Sequence, residues 1–157
     1  MQSHLSSRRQ SSWRRHAGLM SIVSLLLVAA AMHPTCAVAD GALAVALPPD
    51  VVKQGFAYGY VTDYADADQA DTEALKKCRG TTIAGIRPLC TVIQDFKNQC
   101  VAVAMDPQAG TPGVGWGIAP DSHAAEAQAL SSCEQTAGPS RRAACAVDHS
   151  SCDGTAK

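Results

Sequence analysis

The feature that most constrains this chain is an internal duplication. Tyr58-Gly59-Tyr60 is answered by Val114-Gly115-Trp116, and Ala70, Ala74, Leu75 and Cys78 by Ala125, Ala129, Leu130 and Cys133. Twelve residues after each of these cysteines stands another one followed by valine, in Cys90-Thr91-Val92 and Cys145-Ala146-Val147. The chain reads as one unit used twice.

Each unit carries its own periodicities. Leu43-Ala44-Val45-Ala46-Leu47-Pro48-Pro49 pairs with Val101-Ala102-Val103-Ala104-Met105-Asp106-Pro107, an apolar run closed by proline and expected to be a strand. The alternation of small and aromatic residues around Gly59 and Gly115 suits a second strand. Alanines spaced by four, with a leucine beside them, define a helical face small enough for close packing on a sheet. Asp66-Ala67-Asp68-Gln69 offers a capping-box-like start, and Asp121 or Ser122 can cap the second helix. Lys76, Lys77 and Arg79 suit the negative end of the first. Both helices are expected to end at their cysteines, and the Cys-x-Val segments supply a third strand. The fold class that follows is α+β: two tandem strand-strand-helix-strand repeats, about 41–98 and 99–152, forming a mainly antiparallel sheet with two helices.

The first 39 residues differ in kind. Arg8, Arg9, Arg14 and Arg15 precede an apolar stretch from Ala17 to Met32, and Ala37-Val38-Ala39 offers small residues for cleavage before Asp40. This is the layout of a secretory signal peptide, with an apolar run short for a membrane span, so no stable span is expected after its removal. Gln10-Ser11-Ser12 argues against twin-arginine export, and His33-Pro34-Thr35 argues against lipidation at Cys36. Residues 40–157 then form one domain, periplasmic or secreted. That domain carries nine Lys and Arg against fourteen Asp and Glu, a net charge of −5. An acidic domain gains nothing from counterion release, which disfavours nucleic acid and favours a basic protein as partner.

Six of the seven cysteines remain after cleavage, and an even count in an exported chain reads as three disulfides. The duplication suggests Cys78–Cys90 and Cys133–Cys145, which leaves Cys100 to pair with Cys152. Zinc is disfavoured because no C-x-x-C or Cys/His cluster exists. No cofactor or catalytic set is expected. His123 and His149 lie in no recognisable motif, and no G-x-S-x-G is present. Asp63, Asp66, Asp68, Asp71 and Glu73 lack the glycine and distant glutamate of a calcium loop, so they read first as a solvated helix start and second as a docking patch. Gly110 to Gly117 lacks the lysine of a phosphate loop and reads as a strand-connecting turn. Tyr60 and Trp116 occupy matching places and read as core residues or as contact anchors.

The Tyr-Gly-Tyr and Gly-Trp-Gly strands, the helices ending in Ala74-Leu75-Lys76-Lys77-Cys78 and Ala129-Leu130-Ser131-Ser132-Cys133, and Cys100-Val101-Ala102-Val103 resemble bacterial exported proteins grouped as domain of unknown function 4189. The segments Arg79–Leu89 and Glu134–Ala144 are longer than is usual there. The resemblance implies an exported domain without an established activity and, for some members, a role as periplasmic immunity proteins against delivered toxins. The expectation is a periplasmic inhibitor of an envelope-targeting toxin or hydrolase, bound through Asp63, Asp66, Asp68, Asp71, Tyr60 and Trp116. A secreted virulence or envelope-structural factor and a small hydrolase of unfamiliar design are the alternatives.

Overall fold

The computed structural model describes residues 40–157, so the expected signal peptide lies outside the described residues. Each repeat gives two strands, a helix, a 3₁₀ segment and a third strand. The first contains β1 (Asp40–Ala46), a short helix α1 (Val51–Gln54), β2 (Ala57–Tyr64), α2 (Ala67–Arg79), the 3₁₀ segment Ala84–Leu89 and β3 (Thr91–Phe96). The second contains β4 (Cys100–Met105), β5 (Val114–Ala119), α3 (Ser122–Ala137), the 3₁₀ segment Arg142–Ala144 and β6 (Ala146–Cys152). The strands form two antiparallel three-stranded sheets, one per repeat, in the orders β2-β1-β3 and β5-β4-β6.

The central strands explain why there are two sheets. Ala42, Ala44 and Ala46 pack with Ala70, Ala74 and Cys78 of α2, whereas Leu43 and Val45 pack with Val101 and Val103 of the other repeat. Ala102 and Ala104 in turn meet Ala125, Ala129 and Cys133 of α3. A strand with small residues on one face and branched ones on the other is apolar on both sides, so it must be covered twice. The result is four layers: helix, sheet, sheet, helix.

Glycine sets the helix-to-sheet distance. A Cβ added at Gly59 would lie 2.3 Å from the Cys78 nitrogen, and one at Gly115 would lie 2.3 Å from the Cys133 nitrogen. Each helix therefore rests backbone-on-backbone against its second strand, where only hydrogen fits. Asp66 caps α2 by accepting from the Gln69 nitrogen at 2.9 Å, and Asp121 caps α3 through the Ala124 nitrogen at 2.8 Å. The helices overrun the cysteines expected to end them, by one residue in α2 and by four in α3, where Gly138 at φ +75° turns the chain.

The three disulfides are Cys78–Cys90, Cys133–Cys145 and Cys100–Cys152. The first and second tie a helix to the third strand of its own repeat, and the third joins register partners on β4 and β6.

The strand register corrects the sequence alignment at one place. Ala44 lies opposite Gly59 and Ala104 opposite Gly115, so Leu43 corresponds to Val103, two residues beyond Val101. A slip of two leaves every side chain on its own face, so alternation alone could not detect it. Asp153, fully buried, joins the repeats: its carboxylate accepts from the Asp63 nitrogen at 2.7 Å and the Asn98 nitrogen at 2.9 Å. Both donors belong to residues with positive φ, a conformation held in place by those bonds.

Candidate functional site

The inter-sheet layer is aliphatic at its centre and aromatic toward β2 and β5. On β2 the glycine faces α2, which turns the alternate residues, Tyr58 and Tyr60, toward the second sheet, with Phe56 just ahead of the strand. On β5 the same alternation turns Trp116 inward from between Gly115 and Gly117. Trp116, Phe56, Tyr58 and Tyr60 form a continuous ladder with ring centroids 6.4, 6.0 and 6.5 Å apart and planes inclined by 1°, 27° and 8°. All four rings are half-buried. Lys77 of α2 closes the far end, its ammonium 5.6 Å from the Tyr60 ring centre and 3.0 Å from the Tyr60 carbonyl oxygen, to which it donates.

Two exposed residues of β6 meet this ladder. His149 stands edge-on to Tyr58 and Tyr60, with centroids at 6.1 and 6.2 Å. Its neighbour Asp148 accepts a hydrogen bond from the Tyr58 hydroxyl. Val103 pairs with His149 and Ala104 with Val147, so Asp148 is the extra residue of a β-bulge, a device that re-aims a side chain out of the pleat. Burial, with the Asp148 carboxylate beside it, pushes the Tyr58 phenol well above its ordinary value. The phenol therefore stays protonated and acts as a donor to Asp148.

The sequence-nominated residues divide between this ladder and other duties. Tyr60 and Trp116 both belong to the ladder. Asp66 is the cap of α2, also held by the Gln69 side chain at 2.6 Å, and Asp63 accepts from the Gly154 nitrogen at 2.8 Å. Asp68 lies with Tyr64, Gln69, Thr72 and Glu73 around an open cavity of about 410 Å³ on the α2 side. Asp71 faces Asp95 of β3; burial first, then this neighbouring carboxyl, raises it to about 6. One buried Asp71 oxygen has no hydrogen-bond donor, as expected where two acids meet and only a shared proton can join them. Each aspartate thus makes its own local contacts, with Asp68 also adding to the charge around Asp71. His123 is exposed in the first turn of α3, away from the ladder's named contacts.

Sequence reasoning passed over Phe56 and Asp148, read Lys77 only as a charge at the helix end, and set His149 aside as lying in no recognisable motif. The signal it missed concerns Asp148 and His149: at the third and fourth positions after the matched cysteines, Ile93-Gln94 in one copy becomes Asp148-His149 in the other. Among the described residues no group of three or more His, Cys, Asp or Glu is placed to hold a metal ion. No helix among them is long and apolar enough to cross a membrane.

The fold and site together define a duplicated, disulfide-stapled α+β domain with an aromatic ladder between its halves. The family model for a domain of unknown function, DUF4189, matches residues 41–152, and the chain belongs to that family. No curated protein and no solved structure matches the chain.

Proposed function

We propose that the protein is an exported binding protein of the periplasm, cleaved from its signal peptide near Ala39, that inhibits an envelope-targeting toxin or hydrolase. The observation that carries this reading is the aromatic ladder: half-buried rings held rigid by stacking, next to a carboxylate and an imidazole at the surface. Rigid aromatic anchors ringed by polar groups are what contact-energy centres of protein interfaces are made of. Three disulfides support the reading in two ways. They persist in oxidising compartments, and they hold a small scaffold in the shape its partner must meet, which lowers the ordering cost of binding. The net charge of −5 over residues 40–157 favours a basic partner and speeds encounter with it.

The test is capture from envelope extract by the oxidised protein, with reduced protein as control, followed by assay of whatever enzyme is retained. Recovery of one toxin or hydrolase, inhibited in proportion to added protein and released on reduction, is the expected result. Recovery of cell-wall material alone would overturn inhibition in favour of an envelope-structural role.

A further inference from the structure

The duplication provides an internal reference for every side chain of the ladder. Tyr58 precedes Gly59 as Val114 precedes Gly115, and the two glycines touch equivalent helix positions. On the third strands Leu43 pairs with Gln94 and Ala44 with Val92, so β3 carries the same bulge as β6, with Ile93 where β6 has Asp148 and Gln94 where it has His149. The scaffold thus builds the same strand, bulge and disulfide with Val114, Ile93 and Gln94. The strand, the bulge and the disulfide therefore do not by themselves call for Tyr58, Asp148 and His149 at these places, and the chemistry of the three is additional to that backbone geometry.

That chemistry is one of acceptors. Tyr58 spends its proton on Asp148, which leaves the phenol oxygen's lone pairs free. Among the described residues Asp148 Oδ1 receives no hydrogen bond, and Asp148 and His149 are exposed. The ring faces, in contrast, are taken: Tyr58 lies between Phe56 and Tyr60, and Lys77 sits over Tyr60. At these two tyrosines a flat sugar ring would find no open face on which to stack. A planar, donor-rich cation suits what is left, because guanidinium presents several N–H groups in a fork that matches a carboxylate.

We propose that Tyr58, Asp148 and His149 form a subsite for an arginine side chain of the bound protein. This deepens the binding-protein reading and rests on it.

The experiment is an NMR titration of the oxidised protein, as recovered from expressing cells, with N-acetyl-arginine amide. The neutral isostere N-acetyl-citrulline amide and chitotriose serve as alternatives. Saturable shifts of the Tyr58 and His149 side-chain signals are expected with the arginine probe. They should be about tenfold or more weaker with citrulline and in Asp148→Asn, as loss of a charge-assisted contact requires. Asp148→Ile, which copies the first repeat and so preserves the fold, should abolish them. Equal binding of citrulline, no saturation with the arginine probe, or shifts with chitotriose alone would overturn the subsite. Equal capture of an envelope enzyme by wild type and Asp148→Ile would also overturn it while leaving inhibition intact. Arginine shifts without any captured enzyme would instead sink the inhibitor reading.

Discussion

The two repeats build one scaffold with different chemistry at matching positions. The register places Asp40 where the second repeat has Cys100, and Lys97 where it has Cys152. A salt bridge of 3.1 Å between Lys97 and Asp40 thus stands in the first repeat at the site of the Cys100–Cys152 disulfide. Counting back from Cys90 and Cys145, buried Ile86 occupies the place of Arg141, and the strand register sets Ala46 against Asp106. An apolar contact in one copy is an ion pair in the other. Shared features, namely the helix-facing glycines, the bulges and the helix-to-strand disulfides, are those the architecture needs. Features present once are free to serve function or local stability.

The largest effect should come from making the copies alike at the disulfide. Cys100–Cys152 closes a separation of 52 residues, which in the chain-entropy model contributes about 4 kcal/mol, against about 3 kcal/mol for each separation of 12. Cys100→Asp with Cys152→Lys, copying the first repeat, exchanges that constraint for a partly exposed ion pair of at most about 1 kcal/mol. Denaturant unfolding is expected to show a net loss of about 3 kcal/mol. Replacing Cys100 and Cys152 by alanine should cost about 1 kcal/mol more than replacing Cys133 and Cys145 by alanine, and equal losses would mean that loop length does not rank the staples.

A smaller effect is expected at Asp106. Its carboxylate is buried and receives two bonds from Arg141, at 2.7 Å from Nε and 2.6 Å from Nη2. Arg141 holds the Asp106 carboxyl down at about 2, against an ordinary value of 3.8. The folded form therefore gains stability that is complete above about pH 4 and is lost as pH falls toward 2. Arg141→Ile alone leaves a buried carboxylate unpaired and should lower the melting temperature at pH 7 by several degrees. Arg141→Ile with Asp106→Ala, the residues of the first repeat, should restore or exceed it, because a packed apolar pair avoids the desolvation cost. A double variant as unstable as the single one would show that the two sites are not interchangeable.

Much of this architecture was legible because it rests on spacing. Alanines four apart, glycine between larger residues and cysteines twelve apart are one-dimensional signals, and duplication lets each copy check the other. Three things were hidden. The division into two sheets depends on what covers Leu43 and Val45, which is a fact about a distant segment. The two-residue slip of β1 against β4 preserves the alternation by which strands are read. The ladder joins Tyr58 to Asp148 across 90 residues, a distance over which no periodicity acts. The acidic cluster shows the converse: Asp63, Asp66, Asp68 and Asp71 are neighbours in sequence, yet their individual contacts, to Gly154, to the start of α2, to the open cavity and to Asp95, could not be read from their spacing.

The last difference between the copies is the smallest and concerns Asp71. Its counterpart in α3 is Glu126, and the counterpart of Asp95 is Ser150, so only the first repeat sets two acids face to face. Asp71 is raised to about 6 from 3.8, first by burial and then by Asp95, with Asp68 adding to the repulsion. A carboxyl whose folded value lies above its unfolded one binds its proton more tightly in the folded state. Its stabilising contribution is therefore complete below about pH 4 and disappears as pH rises through 6. Thermal unfolding between pH 4 and 7 should show this slope, opposite in sign to that of Asp106 and at higher pH. Asp95→Ser, which copies the second repeat, should flatten it without removing it, since burial of Asp71 remains. Asp71→Asn should abolish the slope and raise the melting temperature slightly at pH 7. A slope unchanged in Asp71→Asn would place its origin elsewhere in the domain.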